Sequence, residues 1–278
     1  METILPILIA VGILTVLGGV FGLLLGVVGK KFAVETDPRV EQVRACLAGA
    51  NCGACGYAGC DGFAQAVVDG KAPVSGCTAG GKKSAEAVAA VMGVNAGDVG
   101  DRMVARVRCN GTCDNVSVRY EYQGPKSCRA AANLSGGPKA CSFSCLGYGD
   151  CYDVCKFHAI TLENGVARIN DDYCTGCGAC VNACPRSIIT LLPKNKYIVV
   201  QCRNTEIGKT ARMQCKTACI GCKRCERECP SDAIHVVNGV AEIDAAKCTR
   251  CGACAAACPM HCIYNFFEGL HESYDWEK

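Results

Sequence analysis

Residues 5–28 run for 24 positions without one ionisable side chain. At about 1.5 Å rise per residue the pattern predicts a helix of some 36 Å, enough to cross a roughly 30 Å hydrocarbon core with tilt. Glu2 is the only charge before it, and Lys30 and Lys31 follow directly, so the positive-inside rule places everything downstream in the cytoplasm. A cleavable export signal fits poorly: the start is not basic, the apolar run is too long and no small-residue cleavage site follows. Gly18, Gly22 and Gly26 share one helical face suited to close contact with another membrane helix. No charge lies inside the span, which therefore offers no ion path of its own.

After a short polar stretch (35–44) the pattern changes in kind. Short apolar runs alternate with glycine, asparagine and cysteine, predicting a helix near 61–69, a hairpin from 103–107 and 116–122, and another over 234–243. Aromatics are only 6% of the 278 residues, too few large side chains for ordinary cores, whereas 27 residues are cysteine. Tight loops of four near-neighbour cysteines cannot all reach disulfide geometry, and an odd total would strand a thiol. The pattern points instead to a reducing compartment and metal clusters. The formal charge of +3 counts neutral thiols. Five cysteine-ligated [4Fe-4S] clusters at about −2 each would carry it to about −7. Lys and Arg form no basic stripe, so no nucleic-acid partner is expected.

Cys52, Cys55, Cys60 and Cys77 form C-x2-C-x4-C-x16-C. Three thiolates in one glycine-rich loop, with a fourth from beyond a helix, can surround a cubane cluster, and the glycines let backbone N–H groups face the sulfurs. Zinc is the competing metal, although it prefers two separated pairs of ligands. Cys46 lies outside the pattern.

Adding 74 to cysteine positions 128, 141, 145, 151, 155, 174, 177, 180 and 184 gives nine further cysteines, and Asn164-Gly-Val-Ala recurs at Asn238. The chain is internally duplicated. The second copy carries two ferredoxin-type runs, Cys219, Cys222, Cys225, Cys229 and Cys248, Cys251, Cys254, Cys258. In two-cluster ferredoxins the fourth cysteine of each run ligates the other cluster, so the expected sets are 219, 222, 225 with 258, and 248, 251, 254 with 229.

The first copy departs once, with Tyr148 where a cysteine is expected. Cys174, Cys177, Cys180 and Cys155 make a full set. Cys145, Cys151 and Cys184 lack a fourth ligand: either Cys141 supplies it, or the site holds three irons, or an oxygen substitutes. Alternatively Cys109, Cys113, Cys128 and Cys141 form an additional four-thiolate site on the first hairpin. Cys202, Cys215 and Cys262 read as ordinary buried thiols, and the four histidines as surface or packing residues. Neither a dinucleotide fingerprint nor a nucleophile elbow is present, so no substrate-converting site is expected in this chain.

These features predict an α+β chain: anchor (1–31), small Fe-S loop domain (36–82), connector with hairpin (83–127), two ferredoxin-like modules (128–193 and 202–264) and a tail (265–278). At least five [4Fe-4S] clusters are expected, six or more if the hairpin site is real. Anchor, first-domain spacing and modules together resemble the B subunit of the Rnf complex, a membrane-bound ferredoxin:NAD+ oxidoreductase that exports Na+ or H+, in its longer, clostridial form. The resemblance implies that the chain takes electrons from soluble ferredoxin and hands them to membrane-embedded and NAD-reducing flavoprotein subunits. An iron–sulfur subunit of another anaerobic membrane oxidoreductase, of hydrogenase or dehydrogenase type, is the competing class, but it would leave the 52–77 domain unexplained.

Overall fold

The computed structural model describes residues 4–31, 37–97 and 100–266. Helix α1 (Ile4–Lys31) covers the apolar segment. Only its residues 12–28 have described side chains, about 26 Å of helix, and among the described residues no helix is long and apolar enough to cross a membrane. The expected anchor therefore extends outside them, as do His271 and the tail beyond Phe266.

Helices α2 (Pro38–Cys46), α3 (Cys60–Val68) and α4 (Gly81–Met92) form a small unit around Val43, Phe63, Val67 and Val88. Asp37 caps α2, its carboxylate accepting the Arg39 N–H at 2.9 Å, with Pro38 at the first helical position. The helix expected at 61–69 is α3, shifted by one residue.

The remainder contains β1 (Met103–Val107), α5 (Cys128–Asn133), α6 (Asp150–Asp153), β2 (Ile160–Glu163), β3 (Val166–Ile169), α7 (Ala179–Ala183) and β4 (Ile189–Pro193). A second series follows: β5 (Ile198–Val200), α8 (Gly208–Gln214), α9 (Arg224–Arg227), β6 (Ile234–Val237), β7 (Val240–Ile243), α10 (Ala253–Ala257) and β8 (Ile263–Asn265). Among the described residues the strands form four antiparallel pairs: β1–β4, β2–β3, β5–β8 and β6–β7. The 234–243 hairpin is β6–β7, with Ile234 opposite Ile243.

The hairpin expected from 103–107 and 116–122 does not form. β1 pairs with β4 across the whole first module, and Val116 and Val118 make only isolated bridges, to Cys215 and Lys139. Strand β1 is buried at four consecutive positions and needs cover on both faces, which a neighbouring polar segment cannot supply. Strand β1, upstream of residue 128, thus pairs within the first module, and β5, upstream of residue 202, within the second.

This pairing also corrects the repeat. Val107 pairs with Ile189 as Val200 pairs with Ile263, so β1 and β5 are 93 residues apart while β4 and β8 are 74 apart. Nineteen residues are inserted in the first module between β1 and Cys141. The structural counterpart of Cys202 is therefore Cys109, and the match of Cys128 to Cys202 is a coincidence of spacing.

The repeat keeps one demanding contact. Gly147 and Gly221, each two residues after the first cysteine of a run, have φ of +77° and +68°. A Cβ on Gly147 would lie 2.5 Å from the Gly165 carbonyl oxygen, and one on Gly221 3.2 Å from that of Gly239, so the cysteine loop rests directly on the β2–β3 or β6–β7 turn.

The two modules share a core: Val116 and Cys141 of the first pack with Ile198, Cys202, Cys215 and Ile234 of the second. Across the seam the Asn110 N–H donates to the Gln201 carbonyl (3.1 Å) and the Lys216 N–H to the Asn115 carbonyl (2.7 Å). Arg106 on β1 is 2% exposed, ion-paired through two contacts with buried Asp171, and its guanidinium lies 4.5 Å from the centre of the Phe266 ring just after β8.

Candidate iron–sulfur sites

Among the described residues, five cavities are each ringed by at least four cysteines. Cys52, Cys55, Cys60 and Cys77 line the first. Cys155, Cys174, Cys177 and Cys180 line the second. The fourth is ringed by Cys219, Cys222, Cys225 and Cys258, and the fifth by Cys229, Cys248, Cys251 and Cys254. These four groupings are the sets expected from spacing. Helix α10 carries Cys254 into one cavity and delivers Cys258, at its end, to the other.

The third cavity departs from expectation. Cys145, Cys151 and Cys184 line it with Cys128, not with Cys141. Asp150 holds Cys128 there: its carboxylate accepts the N–H of Cys128 at 2.7 Å and of Arg129 at 3.0 Å, capping α5. Tyr148, in place of the missing cysteine, packs on Tyr122 of the insertion at 5.3 Å between ring centres. The insertion thus returns a thiol to the place that Tyr148 vacates.

The four-thiol site expected from Cys109, Cys113, Cys128 and Cys141 does not assemble, because Cys128 is engaged elsewhere and Cys113 is exposed. Cys109, Cys141, Cys202 and Cys215 are all buried at the seam, with Cys141 within electrostatic reach of Cys109, Cys202 and Cys215, and Cys109 of Cys202. The Cys109 sulfur accepts the N–H groups of Cys145 and Gly111, both at 3.3 Å. In the same way the Cys202 sulfur accepts those of Cys219 at 3.3 Å and Asn204 at 3.4 Å. Burial pushes Cys141 and Cys202 up to about 11, and the charges of Cys109 and Cys215 add to the effect on Cys141. Spacing did not place Cys202 and Cys215 near Cys109 and Cys141. The available signal was that Cys109 and Cys202 each follow a short apolar, β-branched run by two residues.

Cys262, expected as an ordinary buried thiol, projects into the fourth cavity beside the other four cysteines. Its hydrogen bonds hold Cys219 down to about 6 and Cys258 down to about 5, while the Cys262 thiol itself is driven upward and keeps its proton.

The donor sets fit iron–sulfur clusters. Among the described residues no three His, Cys, Asp or Glu converge closely enough to share one metal ion. The thiols instead stand around open cavities with apolar walls, and backbone N–H groups aim at their sulfurs: Ala159 at Cys155 (3.4 Å), Ala233 at Cys229 (3.3 Å) and Ala105 at Cys174 (3.3 Å). Burial pushes Cys151 and Cys180 up to about 12 and Cys145, Cys225 and Cys254 up to about 11. Ligation needs thiolates, so cluster loading must release protons and be favoured at higher pH.

Cysteine-ringed cavities in duplicated α+β modules define an iron–sulfur electron carrier of the dicluster ferredoxin class. Family models agree: a putative Fe-S cluster family matches residues 47–79, and 4Fe-4S dicluster domains match 143–188, 173–234 and 212–259. The chain is 48% identical over 258 residues (92% of this chain, 77% of the relative) to the B subunit of the Na+-translocating ferredoxin:NAD+ oxidoreductase complex of Acetobacterium woodii. It is 40% identical over 273 residues (97% and 95%) to the B subunit of the proton-translocating ferredoxin:NAD+ oxidoreductase complex of Clostridium ljungdahlii. It is 38% identical over 255 residues (91% and 96%) to the B subunit of the ion-translocating oxidoreductase complex of Methanosarcina acetivorans. The chain belongs to the family of B subunits of these Rnf-type ion-translocating ferredoxin:NAD+ oxidoreductases, as an iron–sulfur electron-transfer subunit carrying multiple 4Fe-4S clusters.

Proposed function

We propose that this chain is a wire of six four-thiol sites that collects electrons from soluble ferredoxin at module two and delivers them beside the membrane. The five cysteine-ringed cavities carry this reading. The sixth site is the buried quartet Cys109, Cys141, Cys202 and Cys215. When bound, [4Fe-4S] clusters supply one-electron exchange. The chain's own part is to fix their order and exclude water.

Neighbouring thiols support one linear order. Cys52 lies within the electrostatic reach of Cys177, and Lys156 ties the two units by donating to the Asn51 carbonyl at 3.0 Å. Cys180 likewise acts on Cys151. The Cys145 and Cys219 N–H groups, donated to Cys109 and Cys202, join the central quartet to a site on either side. An iron count on anaerobically reconstituted protein should reach about 24 per chain. Saturation near 20 removes the central site, and near ten removes the duplicated-module reading.

The apolar helix is read as a single-pass anchor in the cell membrane with the sites on the cytoplasmic side. Side chains along residues 12–28 are all exposed, Leu14 and Leu23 by more than 70%, so the rest of the chain does not cover them. Only 20 residues separate Lys31 from Cys52, which puts the first site near the membrane surface and its membrane-embedded and NAD-reducing flavoprotein partners.

Ferredoxin is assigned to the face around α8. Lys209, Arg212, Lys216, Lys223, Arg224 and Arg227 are exposed there around Ile207 (63% exposed) and Met213 (69%), beside exposed Cys222. Arg203 is half-buried and donates to the Ser187 carbonyl, so it serves the seam instead. A basic rim steers an acidic carrier, typically by about 10- to 1,000-fold in association rate. Replacing Lys209, Arg212 and Lys216 by Glu should slow reduction by ferredoxin at least about tenfold at low salt, with the difference fading as salt screens the charges. Equal stopped-flow rates at low salt would place the docking face elsewhere.

A further inference from the structure

The fourth cavity holds five thiols, one more than a cubane cluster needs. Cys262 is 2% exposed, its sulfur lies 3.5 Å from the Cys258 sulfur, and it lines the same cavity as Cys219. Both partners belong to the ligand set read for this site. Cys262 stands immediately before β8, and the equivalent residue immediately before β4 is Ile188, 74 positions earlier and lining the third cavity. The two sites already differ in one thiol, Cys128 in the third and Cys222 in the fourth, and they differ again here: a thiol lines the fourth cavity where a branched hydrocarbon side chain lines the third.

A hydrogen bond to a ligand sulfur favours the state with more negative charge on the cluster, which is the reduced one, and so raises the reduction potential. An isoleucine offers no donor and keeps water from the same sulfurs. Resting on the cluster reading of the fourth cavity, we propose that Cys262 is a positioning residue whose S–H, directed at Cys258, sets the potential of this site above that of its Ile188 counterpart. Electrons arriving at the α8 face would then be held beside the docking surface, and their passage through the central site to the third would end uphill.

The test is an EPR-monitored potentiometric titration of the full, anaerobically reconstituted chain. The component belonging to this site is the one missing in Cys222→Ser. In Cys262→Ala and Cys262→Ile that component should move to lower potential, with iron content and all other components unchanged. Cys262→Ser keeps a donor and should stay near the parent value, and Ile188→Cys should raise the third-site component. An unmoved midpoint in both Cys262→Ala and Cys262→Ile at full iron content overturns the proposal. Loss of about four irons in Cys262→Ala also overturns it, by making the residue a ligand. If Cys222→Ser removes no component at all, the cluster reading of the cavity fails, and that result is distinct from either of the others.

Discussion

Replacing Cys128 by alanine is expected to remove about four irons and one redox component, although Cys128 lies 17 residues upstream of the run it completes. Three thiols of the third cavity come from residues 145–184, and only α5 brings a fourth. That helix is not free to drift. The Asp150 carboxylate, one residue before Cys151, takes the N–H groups of Cys128 and Arg129 and the Ser127 hydroxyl. Two thiols of one cavity are thereby tethered to each other, and loss of Cys128 leaves only three lining it. Cys113→Ala should leave the iron count intact, since that thiol is exposed and lines none of the five cavities. Cys141→Ala should remove a different component, the one at the seam. Should Cys128→Ala keep its full iron while Cys141→Ala loses the third-site signal, the assignment is reversed.

The second large effect is on stability. Arg106→Ala should lower the stability of module one by about 3–5 kcal/mol, because it strands the buried Asp171 carboxylate. It also removes the guanidinium from the Phe266 ring, and with it a link between the modules. With a urea slope of roughly 1–3 kcal/mol/M, the midpoint for loss of cluster absorbance should fall by at least about 1 M. The pair as a whole is worth less than either half alone, since burying two charges is itself costly. Arg106→Met with Asp171→Leu should therefore recover most of the loss. A double variant as weak as Arg106→Ala would show that the ion pair is not what Arg106 contributes, leaving its stacking on Phe266 as the cause.

Local spacing explains why so much of the site was legible. A C-x2-C-x2-C or C-x2-C-x4-C loop is short enough that its thiols share one cavity, so the groupings around Cys60, Cys177, Cys222 and Cys251 follow from sequence neighbours and one more distant cysteine each. The duplication was legible for the same reason, through text repeated at 74 residues. What failed were the long-range pairings. Val104, Ala105 and Val107 state that β1 will be buried, but not that its partner is Ile189–Pro193 rather than the nearer Val116. An alternating or apolar run specifies which residues turn inward, not which distant strand meets them.

The sequence by itself determined the class of chemistry, the ferredoxin-type modules, the regular cysteine groupings and the long apolar helix, because each is written in residue type and short-range spacing. The tertiary structure alone decided three things: that Cys128 lines one cavity with Cys145, Cys151 and Cys184, that Cys109, Cys141, Cys202 and Cys215 are all buried at the seam, and that Cys262 lines the fourth cavity. Each of these brings together residues from segments with no fixed spacing between them. The 19-residue insertion and the β1–β4 and β5–β8 pairings set those distances, and they exist only once the two modules have packed into a common core.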